Sequence, residues 1–99
     1  MKIKTLENKR YSILTDDLET CLLCGKRKDN LHEVFYGAKH RRLSMEYGLV
    51  VPLCIDCHYK IHHYHEFDLK LKKRTEEKFL EYYECNKDDF LRIFHINYL

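Results

Sequence analysis

The chain has 99 residues, with 18 Lys and Arg against 16 Asp and Glu, for a formal net charge of +2. That length makes one small domain, which buries roughly two-thirds of its unfolded surface and gains from an internal staple. The near balance of charge leaves total charge silent about partners, and no stretch approaches the about eighteen apolar residues of a membrane span.

Residues 1–18 read as a lead-in, with one short strand around Tyr11 to Leu14, and residues 19–99 as the domain proper. The opening MKIKTLENKRYSI has no apolar run of an export signal, so the expected location is cytoplasmic, where thiols stay reduced. Cys21-x2-Cys24 opens the domain as a metal knuckle, and Gly25 permits the tight turn that lets two thiolates face one ion. Leu31 to Tyr36 is a short strand rich in β-formers, bounded by Asn30 and Gly37. A polar loop from Gly37 to Gly48 follows and carries the basic cluster Lys39, His40, Arg41 and Arg42. Leu49-Val50-Val51 is the next strand, and Pro52 is expected to end its ladder.

Cys54-x2-Cys57 forms the second knuckle, and the pattern turns helical from Cys57 onward. His58 and His62 stand at i and i+4, on one face of that helix. Glu66 to Tyr83 is the longest periodic segment, with Phe67, Leu71, Phe79 and Tyr83 spaced in fours or multiples of four. It is expected to pack across the metal core. Asp88 is the expected cap of a last short helix, Asp89 to Phe94. The order knuckle, strand, loop, strand, knuckle, helix, helix predicts an α+β domain built around zinc.

Two CxxC pairs on so short a chain predict one tetrahedral zinc held by Cys21, Cys24, Cys54 and Cys57. Disulfides are the alternative, and the odd fifth cysteine, Cys85, argues for thiols. A structural zinc contributes on the order of 10 kcal/mol to folding. One ion joining both pairs draws the strand carrying His32 and Glu33 toward the helix carrying His58 and His62. Imidazoles and a carboxylate converging there could hold a divalent cation with positions open for water and a phosphate oxygen. Arg41 and Arg42, with Lys39 beside them, suit phosphate contact. Lys70, Lys72, Lys73 and Arg74 read instead as a solvated helix face. His63, His65 and His95 read as surface or packing residues, and Tyr59, Tyr64, Tyr82 and Tyr83 as core and rim.

C-x2-C, then His-Glu-Val on a strand, then L-C-x2-C-H with a further histidine, resembles the HNH nucleases, whose ββα-metal core is a treble-clef variant. HEVFYG, a basic stretch, LSMEYGLVVPLC and the ending DFLRIFHINYL are similar to small HNH-type proteins of phages and prophages, over about residues 19–99. The resemblance implies a zinc-stapled endonuclease that hydrolyses phosphodiester bonds of double-stranded DNA with one divalent metal such as Mg2+, Mn2+ or Ni2+. Phage replication, recombination or packaging proteins would be its partners. In that family the first motif is Asp-His or His-His, a metal ligand followed by a general base. Two registers result: His32 as ligand with Glu33 in the base position, or His32 as base with Glu33 as ligand or orienting group. The second is favoured here, because an imidazole titrating near neutrality suits proton abstraction. The family's middle Asn is missing between Gly37 and Gly48, and His40 falls roughly where it would stand. His58 matches the family's metal-binding histidine, and His62 a second one. Two other classes fit the same residues: a treble-clef module that binds nucleic acid without chemistry, and an accessory protein of phage recombination or packaging.

Overall fold

A two-stranded antiparallel sheet lies at the centre of the computed structural model, which describes residues 2–99. β1 (Asn30–Glu33) pairs with β2 (Val50–Leu53), setting His32 opposite Val51 and Glu33 opposite Val50. Every residue of β2 is buried, which accounts for its unbroken apolar run. Pro52 lies inside β2 and does not end it. Its carbonyl accepts the Leu22 N–H at 2.9 Å, so the residue faces away from β1 and the ladder loses no donor.

The polar stretch between the strands is not a loop but a helix, here called α2 (Ala38–Tyr47), and the lead-in contains another, α1 (Ile3–Asn8). Both were hidden by the same property. α2 buries only Ser44 and Met45, and α1 only Leu6, so neither has an apolar stripe. Tertiary contacts hold them. Leu6, Met45 and Val50 form a small second core. The Ser44 hydroxyl donates to the Phe35 carbonyl at 2.7 Å and accepts the Phe35 N–H at 3.1 Å. α2 stops at Gly48, whose φ of 73° is left-handed, and a Cβ there would collide with the Tyr11 ring. Tyr11 to Leu14 forms no strand; it is fastened to the end of α2, with the Tyr11 hydroxyl on the Glu46 carbonyl and the Ile13 N–H on that of Gly48.

Past β2 come α3 (Ile55–His63), α4 (His65–Tyr82) and α5 (Lys87–Phe94). α3 starts at Ile55 with Cys54 as its N-cap, two residues before the expected start. Asn86, not Asp88, caps α5. Its side chain accepts the Asp89 N–H while the Asp89 carboxylate accepts the Asn86 N–H, a reciprocal capping box. The main core joins Phe35, Leu71, Phe79, Phe90 and Phe94 to Cys21, Cys54 and Cys57 in one cluster, so α4 shares its core with the candidate zinc site. Among the described residues, no helix is long and apolar enough to cross a membrane.

Candidate metal centres

The first knuckle is a tight hairpin. Thr20 bridges Arg27, the Cys21 N–H bonds the Lys26 carbonyl at 2.7 Å, and the Gly25 N–H bonds the Cys21 carbonyl at 3.0 Å. Gly25 turns the chain at φ 80°, a conformation that side chains disfavour. The second pair straddles the junction of β2 and α3, where Asp29 accepts the Ile55 N–H at 2.7 Å and ties the helix start to the hairpin. All four Sγ atoms lie within 4.8 Å of one another, and those of Cys24 and Cys54 are 3.5 Å apart. A zinc–sulfur bond of about 2.3 Å gives tetrahedral edges of about 3.8 Å, so the cluster has the size of a four-thiolate zinc site. Burial pushes the Cys21 thiol up, but backbone N–H groups of Cys54, Cys24 and Leu23 outweigh it and bring the thiol to about 6. Burial, and then Cys54, push the Cys57 thiol up. Cys85 stands apart at the margin of the core. The four sulfurs therefore fit a soft divalent ion such as zinc.

A second cluster lies where β1 meets α3. His32, His58 and His62 bring their ligand atoms within 4.8 Å of one another. His58 and His62, one turn apart, approach Nε2 to Nε2 at 3.0 Å, and their rings lie 5.2 Å and 5.5 Å from that of His32. Access is graded. His32 is 4% exposed, His58 half-buried and His62 open. The Nε2 of His32 is buried with no hydrogen-bond partner, a state that costs roughly 1–3 kcal/mol unless something fills it. Burial, and then the neighbouring His58 and His62, lower the His32 imidazole to about 3. Burial, and then His62, lower that of His58. A neutral imidazole with a free lone pair is the metal-binding form. The three open onto a cavity of about 250 Å³, also lined by Glu33, Tyr36 and Arg41.

The other expected site residues divide. Glu33 reaches the cavity but stays outside the histidine cluster. Its Oε1 accepts from Arg10 at 3.0 Å and Arg41 at 2.7 Å. His32 sits among the candidate ligands, and its Nε2 has no hydrogen-bond partner. His40 is not at the cavity. Its Nε2 lies 2.7 Å from the Phe94 carbonyl and its ring packs on Phe94, because the helical turn of α2 swings it away from Arg41. Arg41 also bonds Glu7 at 2.9 Å, Arg42 pairs with Glu46 one turn on, and Lys39 is exposed.

Several neighbours of the site had no clear sequence signal. The Tyr36 ring lies 5.5 Å from His62 and 5.9 Å from His32, and its hydroxyl donates to buried Asp68 at 2.8 Å. Lys72 bonds the same Asp68 oxygen at 2.9 Å and stands 4.2 Å over the Tyr36 ring. Lys72, which read as part of a solvated helix face, is the i,i+4 partner of Asp68. Arg10 lies far from Glu33 in the chain. Comparison of the chain with protein-family models, curated proteins and solved structures gives no match.

Proposed function

We propose that the protein is a metal-dependent endonuclease of the HNH type, hydrolysing phosphodiester bonds in DNA on a zinc-stapled treble-clef scaffold. One observation carries the reading. Three imidazoles from β1 and α3 converge on an open cavity, and the innermost has a buried nitrogen without a partner. Their position beside a separate four-cysteine cluster supports one structural centre and one reactive centre. Knuckle, hairpin and α3 also follow one another in the order of a treble-clef finger.

In this reading His32, His58 and His62 hold one divalent cation, and three protein ligands leave positions free for water and substrate. Such an ion, when bound, neutralises charge on a phosphodiester and on its leaving oxygen. Arg41, at the cavity rim, offers its guanidinium to a phosphate oxygen in exchange for Glu7. Glu33 takes the proton of the attacking water. Both guanidinium bonds fall on its Oε1, which leaves Oε2 outside the pairing.

Supercoiled plasmid incubated with the zinc-loaded protein in Mg2+, Mn2+ and Ni2+ tests the reading. Nicking by wild type and none by His58→Ala is expected. No cleavage in any of the three metals by a protein whose histidine cluster binds the ion defeats it. The engagement of Glu33 by two arginines favours a second reading, a module that binds nucleic acid without cutting it. Salt-dependent DNA binding with no nicking would support that instead.

A further inference from the structure

His58 and His62 occupy one side of α3; the adjoining side, around the four clustered cysteines, exposes several large apolar side chains. Leu23, Ile55, Tyr59, Tyr64 and Phe67 are all exposed there, from 41% for Phe67 to 66% for Ile55. Two grooves run across this face. One, of about 330 Å³, is lined by Cys24, Lys26, Asp56, Tyr59, Lys60 and Tyr64 among others. The next, of about 270 Å³, is lined by Leu23, Phe67, Lys70, Leu71 and Arg74. They adjoin at consecutive Leu23 and Cys24 and at Tyr64 and Phe67, whose rings are 6.0 Å apart. Tyr59 is already stacked, on His63 at 4.0 Å and 21°.

Charge identifies the occupant. Among the described residues, Lys26, Lys60, Lys70 and Arg74 enter none of the ion pairs that engage Lys28, Lys72 and Lys78. Asp56 is the acid in the lining of the two grooves. The centre of a protein–protein interface is depleted of lysine, whereas cations alternating with flat exposed rings suit a phosphate backbone whose bases lie on the rings. Bases are free to do so only where they are unpaired.

The geometry points to a binding surface for single-stranded or locally unpaired nucleic acid on α3 and the start of α4, with Tyr59, Tyr64 and Phe67 as stacking platforms and Lys26, Lys60, Lys70 and Arg74 as phosphate contacts. This goes beyond the nuclease reading and does not need it. If both hold, a strand lying on Tyr59 is one residue around the helix from His58, so the surface would deliver unpaired DNA to the histidine cavity.

Fluorescence anisotropy of the full zinc-loaded chain tests the surface, with a labelled oligothymidylate and a labelled duplex of the same length, and no added divalent ion. Removing two rings with Tyr59→Ala and Tyr64→Ala together should weaken single-strand binding about tenfold or more, while Tyr59→Phe with Tyr64→Phe keeps it. Duplex affinity should change less than twofold. Lys60→Ala with Lys70→Ala should reduce the salt slope of single-strand binding by roughly one to two. Zinc content and circular dichroism establish that each variant is folded, and the Phe pair keeps the ring test decisive if the Ala pair is not. The proposal is overturned if wild type does not bind the single strand, if the Phe pair loses binding like an Ala pair, or if single-strand and duplex affinity fall together. A wild type that ignores both nucleic acids would make this face a protein-docking surface.

Discussion

The Nε2 atoms of His58 and His62 lie 3.0 Å apart, one turn apart on α3, with the His32 ring packed against both. At that distance the two nitrogens either share one proton or direct both lone pairs at a common third atom. Two protonated rings would repel each other there. His32 completes the same cluster, and its Nε2 is buried without a partner. The proposed centre is therefore tested most directly by its ion, separately from any cleavage.

His58→Ala should abolish binding of the second divalent ion, read by titration calorimetry with Mn2+ or Ni2+, while one zinc per chain and the melting temperature stay nearly unchanged. Loss of the zinc in this variant would place His58 at the structural centre and merge the two sites.

Cys54→Ser, or removal of zinc by a chelator, should unfold the protein, since a structural zinc contributes on the order of 10 kcal/mol, as much as a small domain's whole stability. Circular dichroism with metal analysis reads this. A chain that stays folded without metal would show that its aromatic core suffices.

The register of the strand pair separates by phenotype. His32→Ala should lose the second ion. Glu33→Gln should keep it and lose cleavage about a hundredfold or more, as expected of a missing general base. If Glu33→Gln cuts as wild type does, Glu33 serves only to anchor Arg10 and Arg41.

Acid should weaken the site and the fold together. The folded protein holds His32 at about 3, whereas a free imidazole titrates at 6.5, so between these values the unfolded chain binds the extra proton. Stability from this group is complete above 6.5 and declines as pH falls, by at most about 1.4 kcal/mol per pH unit. Thermal melts from about pH 7.5 to 5, spanning the free imidazole's range, should fall more steeply for wild type than for His32→Gln. Equal slopes would show His32 already protonated or exposed.

Glu76 should act with the opposite sign. It is fully buried on α4, its Oε1 accepts the Tyr98 N–H at 2.7 Å, and its Oε2 has no partner. Burial raises its carboxyl, against the lowering by the Tyr98 N–H and Lys87. The folded state thus keeps a proton that the unfolded chain gives up, and stability declines as pH rises through the carboxyl's folded range. Glu76→Gln should raise the melting temperature in alkaline solution, where the native carboxyl must lose its proton, and give no such gain in acid, where it keeps it. A loss at both would mean that the carboxylate is needed in its charged form.

Spacing along the backbone carried much of this protein. Cys21-x2-Cys24 and Cys54-x2-Cys57 announce a four-sulfur cluster because two residues between cysteines leave both thiols within reach of one ion. His58 and His62 share a face because α-helical geometry allows little else. The α+β order was legible for the same reason, as were the long α4 and its approach to the cysteines. The helix at Ala38–Tyr47 was not, since it fully buries only the adjacent Ser44 and Met45, and two neighbouring buried residues leave no periodic trace. α1, held by Leu6, is a second instance. The pairing of Glu33 with Arg10 and Arg41, the turning of His40 onto Phe94 and the seating of Asp68 beneath Tyr36 all join residues from separate elements. Such contacts form because packing the aromatic core brings those elements together and leaves each buried polar group to bond whatever lies beside it. No local pattern of residues records that neighbour.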